Sequence, residues 1–182
     1  MSLLAAEKSC LLLVDVQEKL TPALFQHEQL VQNCRWMVQV ANKMQIPMLV
    51  SEQYPQGLGP TIPELKELFT PDQVASKLHF SCAADAGCLA KINALKREQI
   101  VIVGIETHVC VLQTAIELQE MGKQVFLVAD AVSSRSERDK ELALKRMRQA
   151  GIQIVSKEMV LFEWLRKSGS DLFKTMSKEF LR

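Results

Sequence analysis

The stretch Gln99-Ile-Val-Ile-Val-Gly-Ile-Glu-Thr-His-Val-Cys110 decides the fold. Its Ile-Val-Ile-Val core is β-branched on both alternating faces, as expected of a strand covered from both sides in a parallel sheet; it is assigned to residues 100–104. The pattern then becomes helical over residues 109–121, with Gly122 as the stop. Apolar positions occupy nearly the whole circumference of this helix, so it is expected to pack deep. Cys110 falls in its first turn. A helix N-terminus favours anions, which biases a thiol there toward thiolate, so Cys110 is the candidate nucleophile.

Working outward, apolar runs of strand length recur between helical patterns. Strands are expected at residues 10–16, 48–51, 74–77, 124–129 and 152–155, besides 100–104. Leu30, Cys34, Met37, Ala41 and Met44 recur at three- and four-residue steps, which predicts a helix ending before Pro47. Further helices are expected at residues 63–69, from a Ser81 cap to about residue 95, from a Ser136 capping box to Ala150 before Gly151, and at 159–165 and 172–181. Residues 54–60, rich in Gly and Pro, read as an ordered surface loop. Six strands alternating with helices predict a doubly wound α/β fold, a three-layer α/β/α sandwich with a parallel sheet in the order 3-2-1-4-5-6.

Composition narrows the function. A chain of 182 residues with 48% hydrophobic residues suits one domain spanning 1–182. The formal net charge of +1 and an aromatic content of 5% give neither the electrostatic footprint nor the stacking platform of a nucleic-acid binder. No apolar run approaches the ~18 to 20 residues a membrane span needs, and the first ten residues do not resemble a signal peptide, so a soluble, cytoplasmic protein is expected. Five cysteines at positions 10, 34, 82, 88 and 110 show no zinc-ligand or disulfide spacing. Cys10 and Cys34 read as packing residues; Cys82 and Cys88 follow Lys77 closely enough to approach a pocket. Gly104 belongs to no Gly-rich phosphate-binding motif, and no cofactor is expected.

Ligands of doubly wound folds sit beyond the carboxyl ends of the strands. Asp15 ends the first strand, Lys77 the third, and Cys110 follows the fourth; at a 3-2-1-4 switch point these three converge. Read alone, Asp15 serves equally as a turn cap and Lys77 as a solvated lysine.

The segments Leu12-Leu-Val-Asp-Val-Gln17, Lys77 with Phe80-Ser81, and Val103-Gly-Ile-Glu-Thr-His-Val-Cys-Val-Leu-Gln-Thr-Ala115 resemble the three signature segments of the isochorismatase-like cysteine hydrolases. Within them, Ser51-Glu-Gln-Tyr-Pro-Gln-Gly-Leu-Gly59, Asp130-Ala-Val-Ser-Ser-Arg-Ser136 and Glu163-Trp-Leu165 resemble the isochorismatase domain-containing proteins, hydrolases of unassigned substrate. The resemblance implies a Cys110 nucleophile, an Asp15 base, Lys77 holding the carboxylate and supporting the thiolate, and a thioester intermediate on a small amide or related carbonyl compound. It also implies a cis peptide at Ile105–Glu106 and an oxyanion hole from the backbone N–H groups of Glu106 and Cys110, in a homo-oligomer acting on a small-molecule substrate. Nicotinamidases of this superfamily bind a metal through Asp-x-His after the second strand; here that stretch is Ser51-Glu-Gln-Tyr54, so no metal is expected. The runner-up reading is a catalytically silent scaffold with a redox-sensitive Cys110. Gln17, Tyr54, Phe80 and His108 are candidate substrate contacts. Gln17 either points with Asp15 or is buried in the next turn, His108 either lines the pocket or binds backbone, and residues 57–59 serve as a lid or an oligomer contact.

Overall fold

The computed structural model describes residues 2–181. Strands β1 (Ser9–Val14), β2 (Met48–Gln53), β3 (Val74–Lys77), β4 (Gln99–Ile105), β5 (Gln124–Ser133) and β6 (Gln153–Val155) pair in parallel in the order β3-β2-β1-β4-β5-β6. The helices are α1 (His27–Lys43), α2 (Pro55–Leu58), α3 (Pro63–Lys66), α4 (Ala86–Ala94), α5 (Leu112–Glu120), α6 (Glu137–Gln149), α7 (Lys157–Leu165) and α8 (Asp171–Phe180). The expected layering and strand order are those observed.

Period-two alternation of the strands feeds two separate cores. Leu11 and Leu13 of β1, with Val101 and Val103 of β4, pack against Met37 and Ala41 of α1 and Leu161 and Trp164 of α7. Cys10, Leu12 and Val14, with Ile100 and Ile102, pack on the other face against Ile92 of α4, Ala115 and Leu118 of α5, and Met147 of α6. Each fully buried Leu or Ile contributes about 1.5–3 kcal/mol, so β1 and β4 are the most strongly held elements. Among the described residues no helix is long and apolar enough to cross a membrane.

Four local expectations need correction. Asp85, not Ser81, caps α4: its carboxylate accepts the N–H groups of Gly87 and Cys88, both at 3.1 Å. The Ser81 hydroxyl instead accepts from Ala83 N–H at 3.0 Å and donates to Glu117 at 2.6 Å, closing the turn that follows β3. The helix after β4 is not deeply buried all round: Thr114, Ala115 and Leu118 of α5 are covered while Gln113 and Glu120 are exposed, because α5 is an outer-layer helix on one sheet face. Cys110 precedes α5, in a π-helical turn over Thr107–Val111. Strand β5 runs four residues past its expected end, because a register shift opposite Ile102 and Gly104 lets pairing resume at Gly104↔Val132 and Ile105↔Ser133. Finally, residues 54–60 contain the single turn α2 and are stitched to the segment after β1 through Glu18 N–H to Pro60 O at 3.1 Å and Lys19 N–H to Leu58 O at 3.2 Å.

Candidate functional site

Four strand ends build the site. Asp15 follows β1 and adopts a left-handed conformation, φ 52°, which an Asp tolerates better than most residues. Its neighbours across the ladder are Ser51 of β2, paired with Val14, and Gly104 of β4, also paired with Val14. Gly104 has φ 115°, and a Cβ there would run into the Val14 backbone; the close approach of β4 to β1 therefore requires glycine. Lys77 ends β3 opposite Gln53 of β2.

These registers bring the polar side chains together. Lys77 Nζ donates to Asp15 Oδ2 at 2.7 Å, and both side chains are wholly buried. The other carboxylate oxygen, Oδ1, accepts the Ser51 hydroxyl at 2.7 Å. Lys77 Nζ also meets Gln53 Oε1 at 2.7 Å, Phe80 O at 2.9 Å and His79 O at 3.3 Å. An ammonium has three protons, and four oxygens already share them, so Lys77 holds Asp15 and the segment after β3 with no donor left over. Burial by itself disfavours the Lys77 charge, but Asp15, Cys82 and Cys110 outweigh it and the net shift is upward.

Cys110 is 7% exposed and stands against this pair. Burial pushes its thiol well above the ordinary range, the Asp15 charge pushes the same way, and Lys77 lowers it by less. The expected thiolate is therefore not the resting form. The physical reason is that desolvation and the Asp15 charge together outweigh the opposing Lys77 charge. Behind it lie Cys82 and Cys88, both buried; the Cys88 thiol and Lys77 hold Cys82 below its usual range, and Cys88 is raised.

The turn before Cys110 starts at a cis peptide, Ile105–Glu106, as the resemblance implies. The Glu106 carbonyl accepts from Val109 N–H at 3.0 Å and Val111 N–H at 3.2 Å. Among the expected contact residues, Gln17 is fully buried, and its amide is committed to backbone: Nε2 donates to Gln53 O and Gly59 O, and Oε1 accepts from Gln53 N–H. It locks the loop. His108 Nδ1 lies 2.9 Å from Ser134 Oγ, a side-chain partner rather than the backbone partner of its second reading. Tyr54 and Phe80 are about half exposed and Leu78 is exposed; Tyr54 N–H donates to Lys77 O, and Phe80 O accepts from Lys77 Nζ. His79 lies 3.6 Å from Asp85, so the two later histidines have separate partners. Ser51 and Gln53 escaped notice as contributors; each is a polar residue near the end of an apolar strand, a signal that becomes specific only once its cross-strand partner is known. A hollow of about 340 Å³ between Ser2, Gln119, Gln124 and Gly151 opens at the opposite, amino-terminal edge of the sheet, away from Asp15, Lys77 and Cys110.

The chain is thus a doubly wound parallel α/β fold whose switch point buries a cysteine beside an Asp–Lys pair. Residues 9–159 match the Isochorismatase domain model, and the chain belongs to the isochorismatase family. It is 38% identical over 176 residues to isochorismatase domain-containing protein 2 of Danio rerio, covering 96% of this chain and 88% of that one. Among solved structures, one titled MAR1 ribonuclease from Caenorhabditis elegans is 35% identical, with a TM-score of 0.91 over 100% of this chain and 93% of the other. The YcaC gene product of Escherichia coli, titled an octameric hydrolase of unknown specificity, shares the fold at a TM-score of 0.92 and 24% identity, covering 100% of this chain and 92% of that one.

Proposed function

We propose that this hydrolase-family protein is a cysteine hydrolase that needs no metal and cleaves a small amide or related carbonyl compound through a thioester on Cys110. The observation that carries the reading is the buried Lys77–Asp15 pair, 2.7 Å across, against the Cys110 thiol. Two buried charges and a buried thiol are expensive to assemble, and a scaffold needs none of them.

A resting thiol means that attack and deprotonation are coupled. As the Cys110 sulfur bonds to the carbonyl carbon, its proton passes to Asp15; when the C–N bond breaks, Asp15 returns the proton to the leaving amine. Asp15 then takes a proton from water, whose oxygen attacks the thioester; as the C–S bond breaks the acid leaves and Asp15 returns that proton to the Cys110 sulfur. Lys77 and Ser51 keep the carboxylate aimed, one on each oxygen. The N–H groups of Glu106 and Cys110 are assigned to the developing oxyanion. The exposed apolar side chains of Leu78 and Phe80, near Lys77 in the chain, and of Tyr54, whose N–H donates to Lys77 O, favour a small, weakly polar substrate. The octameric neighbour supports a homo-oligomer.

One observation favours the scaffold reading: the raised Cys110 thiol, which is unreactive at rest. Incubation with p-nitrophenyl acetate separates the two. The wild type is expected to release p-nitrophenolate and carry an acetyl group on Cys110 by mass spectrometry, and Cys110→Ala to do neither while unfolding at the same temperature. A wild type without the adduct, or turnover of an amide or an RNA oligonucleotide that survives Cys110→Ala, overturns the proposal.

A further inference from the structure

We propose that the Glu106–Arg135 ion pair is a positioning device for the turn before Cys110, holding the Glu106 amide where the developing oxyanion forms. This rests on the thioester reading above and adds a residue, Arg135, that touches neither Cys110 nor Asp15.

Glu106 Oε2 accepts from both the backbone N–H and Nε of Arg135, each at 3.0 Å. Two donors on one oxygen from a single residue fix both the position and the rotation of the carboxylate. Two residues on, His108 Nδ1 meets Ser134 Oγ at 2.9 Å, so residues 106 and 108 of the turn grip residues 135 and 134 at the end of β5. That end is itself anchored: Ser133 Oγ donates to Phe25 O at 2.6 Å, and Phe25 N–H donates to Ser134 O at 3.0 Å. Glu106 therefore joins two structures. Its carbonyl closes the π-helical turn by accepting from Val109 and Val111, and its carboxylate moors that turn to β5.

The exposure of the pair says what it is for. The Glu106 side chain is 11% exposed and that of Arg135 65% exposed. An ion pair with one partner largely in water adds little to stability, so its consequence lies in geometry. A displacement of about 1 Å in a donor to the reacting group costs on the order of 100-fold in rate, which makes a clamp on this turn matter to carbonyl addition.

Two reagents on the full chain test the proposal. With p-nitrophenyl acetate the Cys110 sulfur bonds to the acetyl carbon, the thiol proton passes to Asp15 and the C–O bond breaks to release p-nitrophenolate; an oxyanion develops on the way. With iodoacetamide the same sulfur displaces iodide from a saturated carbon and no oxyanion forms. Arg135→Ala and Glu106→Ala are expected to slow acetylation about 10-fold or more while iodoacetamide alkylation of Cys110 changes by less than about two-fold. Glu106→Gln keeps an oxygen for the same two donors and is expected to retain most of the acetylation rate. Equal acetylation by Arg135→Ala and the wild type overturns the clamp, and so does equal slowing toward both reagents. If wild-type Cys110 accepts no acetyl group, the thioester reading falls and the clamp with it.

Discussion

Cys110 sits between one cation and one anion, and the anion has the larger effect. Burial first and the Asp15 charge second hold the thiol protonated; the Lys77 charge opposes them and loses. Iodoacetamide alkylation of Cys110 is therefore expected to keep rising with pH beyond the ordinary thiol midpoint of about 8.5, with no plateau near neutrality. Asp15→Asn removes a charge and a hydrogen bond that both raise the thiol, so its alkylation curve should move to lower pH. A wild-type midpoint below about 8.5, or an unmoved curve in Asp15→Asn, contradicts this account. Lys77→Ala is the poorer probe, because it leaves the Asp15 charge buried and unpaired at a cost of about 3–5 kcal/mol. The three central residues each end or follow an apolar strand, but that position alone left Asp15 equally a turn cap and Lys77 a solvated lysine, and the family resemblance singled them out. Ser51 and Gln53 were not, since their partners Asp15 and Lys77 are set by the registers Val14↔Ser51 and Gln53↔Lys77.

Strands β1 and β4 meet most closely where the site begins. Gly104 permits that approach through its φ of 115° and its lack of a Cβ, and the atoms it would otherwise strike are the Val14 backbone, which cannot yield without moving Asp15. Gly104→Ala is expected to destabilise the fold by about 3 kcal/mol, visible as a lower urea midpoint; a loss below about 1 kcal/mol would show that the strands can separate freely. The same junction explains why element boundaries were harder to read than element types. The end of β5 depends on a register shift against β4, and the start of α4 depends on whether Ser81 or Asp85 reaches the free N–H groups. The first is decided by a strand distant in sequence; in the second the Asp85 cap is local, and it is distant Glu117 that holds Ser81 away.

Over the whole molecule, four cysteines spread over both cores are shifted the same way. Burial raises Cys10 to about 12 and raises Cys34 and Cys110, while Cys88 is raised first by its hydrogen bond with Cys82 and then by burial. In the unfolded chain these thiols ionise near about 8.5, so above that pH the unfolded state binds fewer protons than the folded one. Their contribution is intact below about pH 8.5 and is lost as pH rises toward the folded values, by up to about 1.4 kcal/mol per pH unit for each thiol. Denaturant midpoints are expected to fall steadily between about pH 9 and 11, and Cys34→Ala to flatten that decline; a flat profile in the wild type would mean the thiols ionise in place. The sequence by itself determined the layer order and the six parallel strands, because hydrophobic period is a local property; Asp15, Lys77 and Cys110 stood out as a trio only through the family resemblance. Only the tertiary structure decided that Lys77 has no proton to spare, that Cys110 rests as a thiol and that Arg135 is tied to Glu106. Those outcomes follow from strand register and from the desolvation of groups packed together, which no single segment of the chain contains.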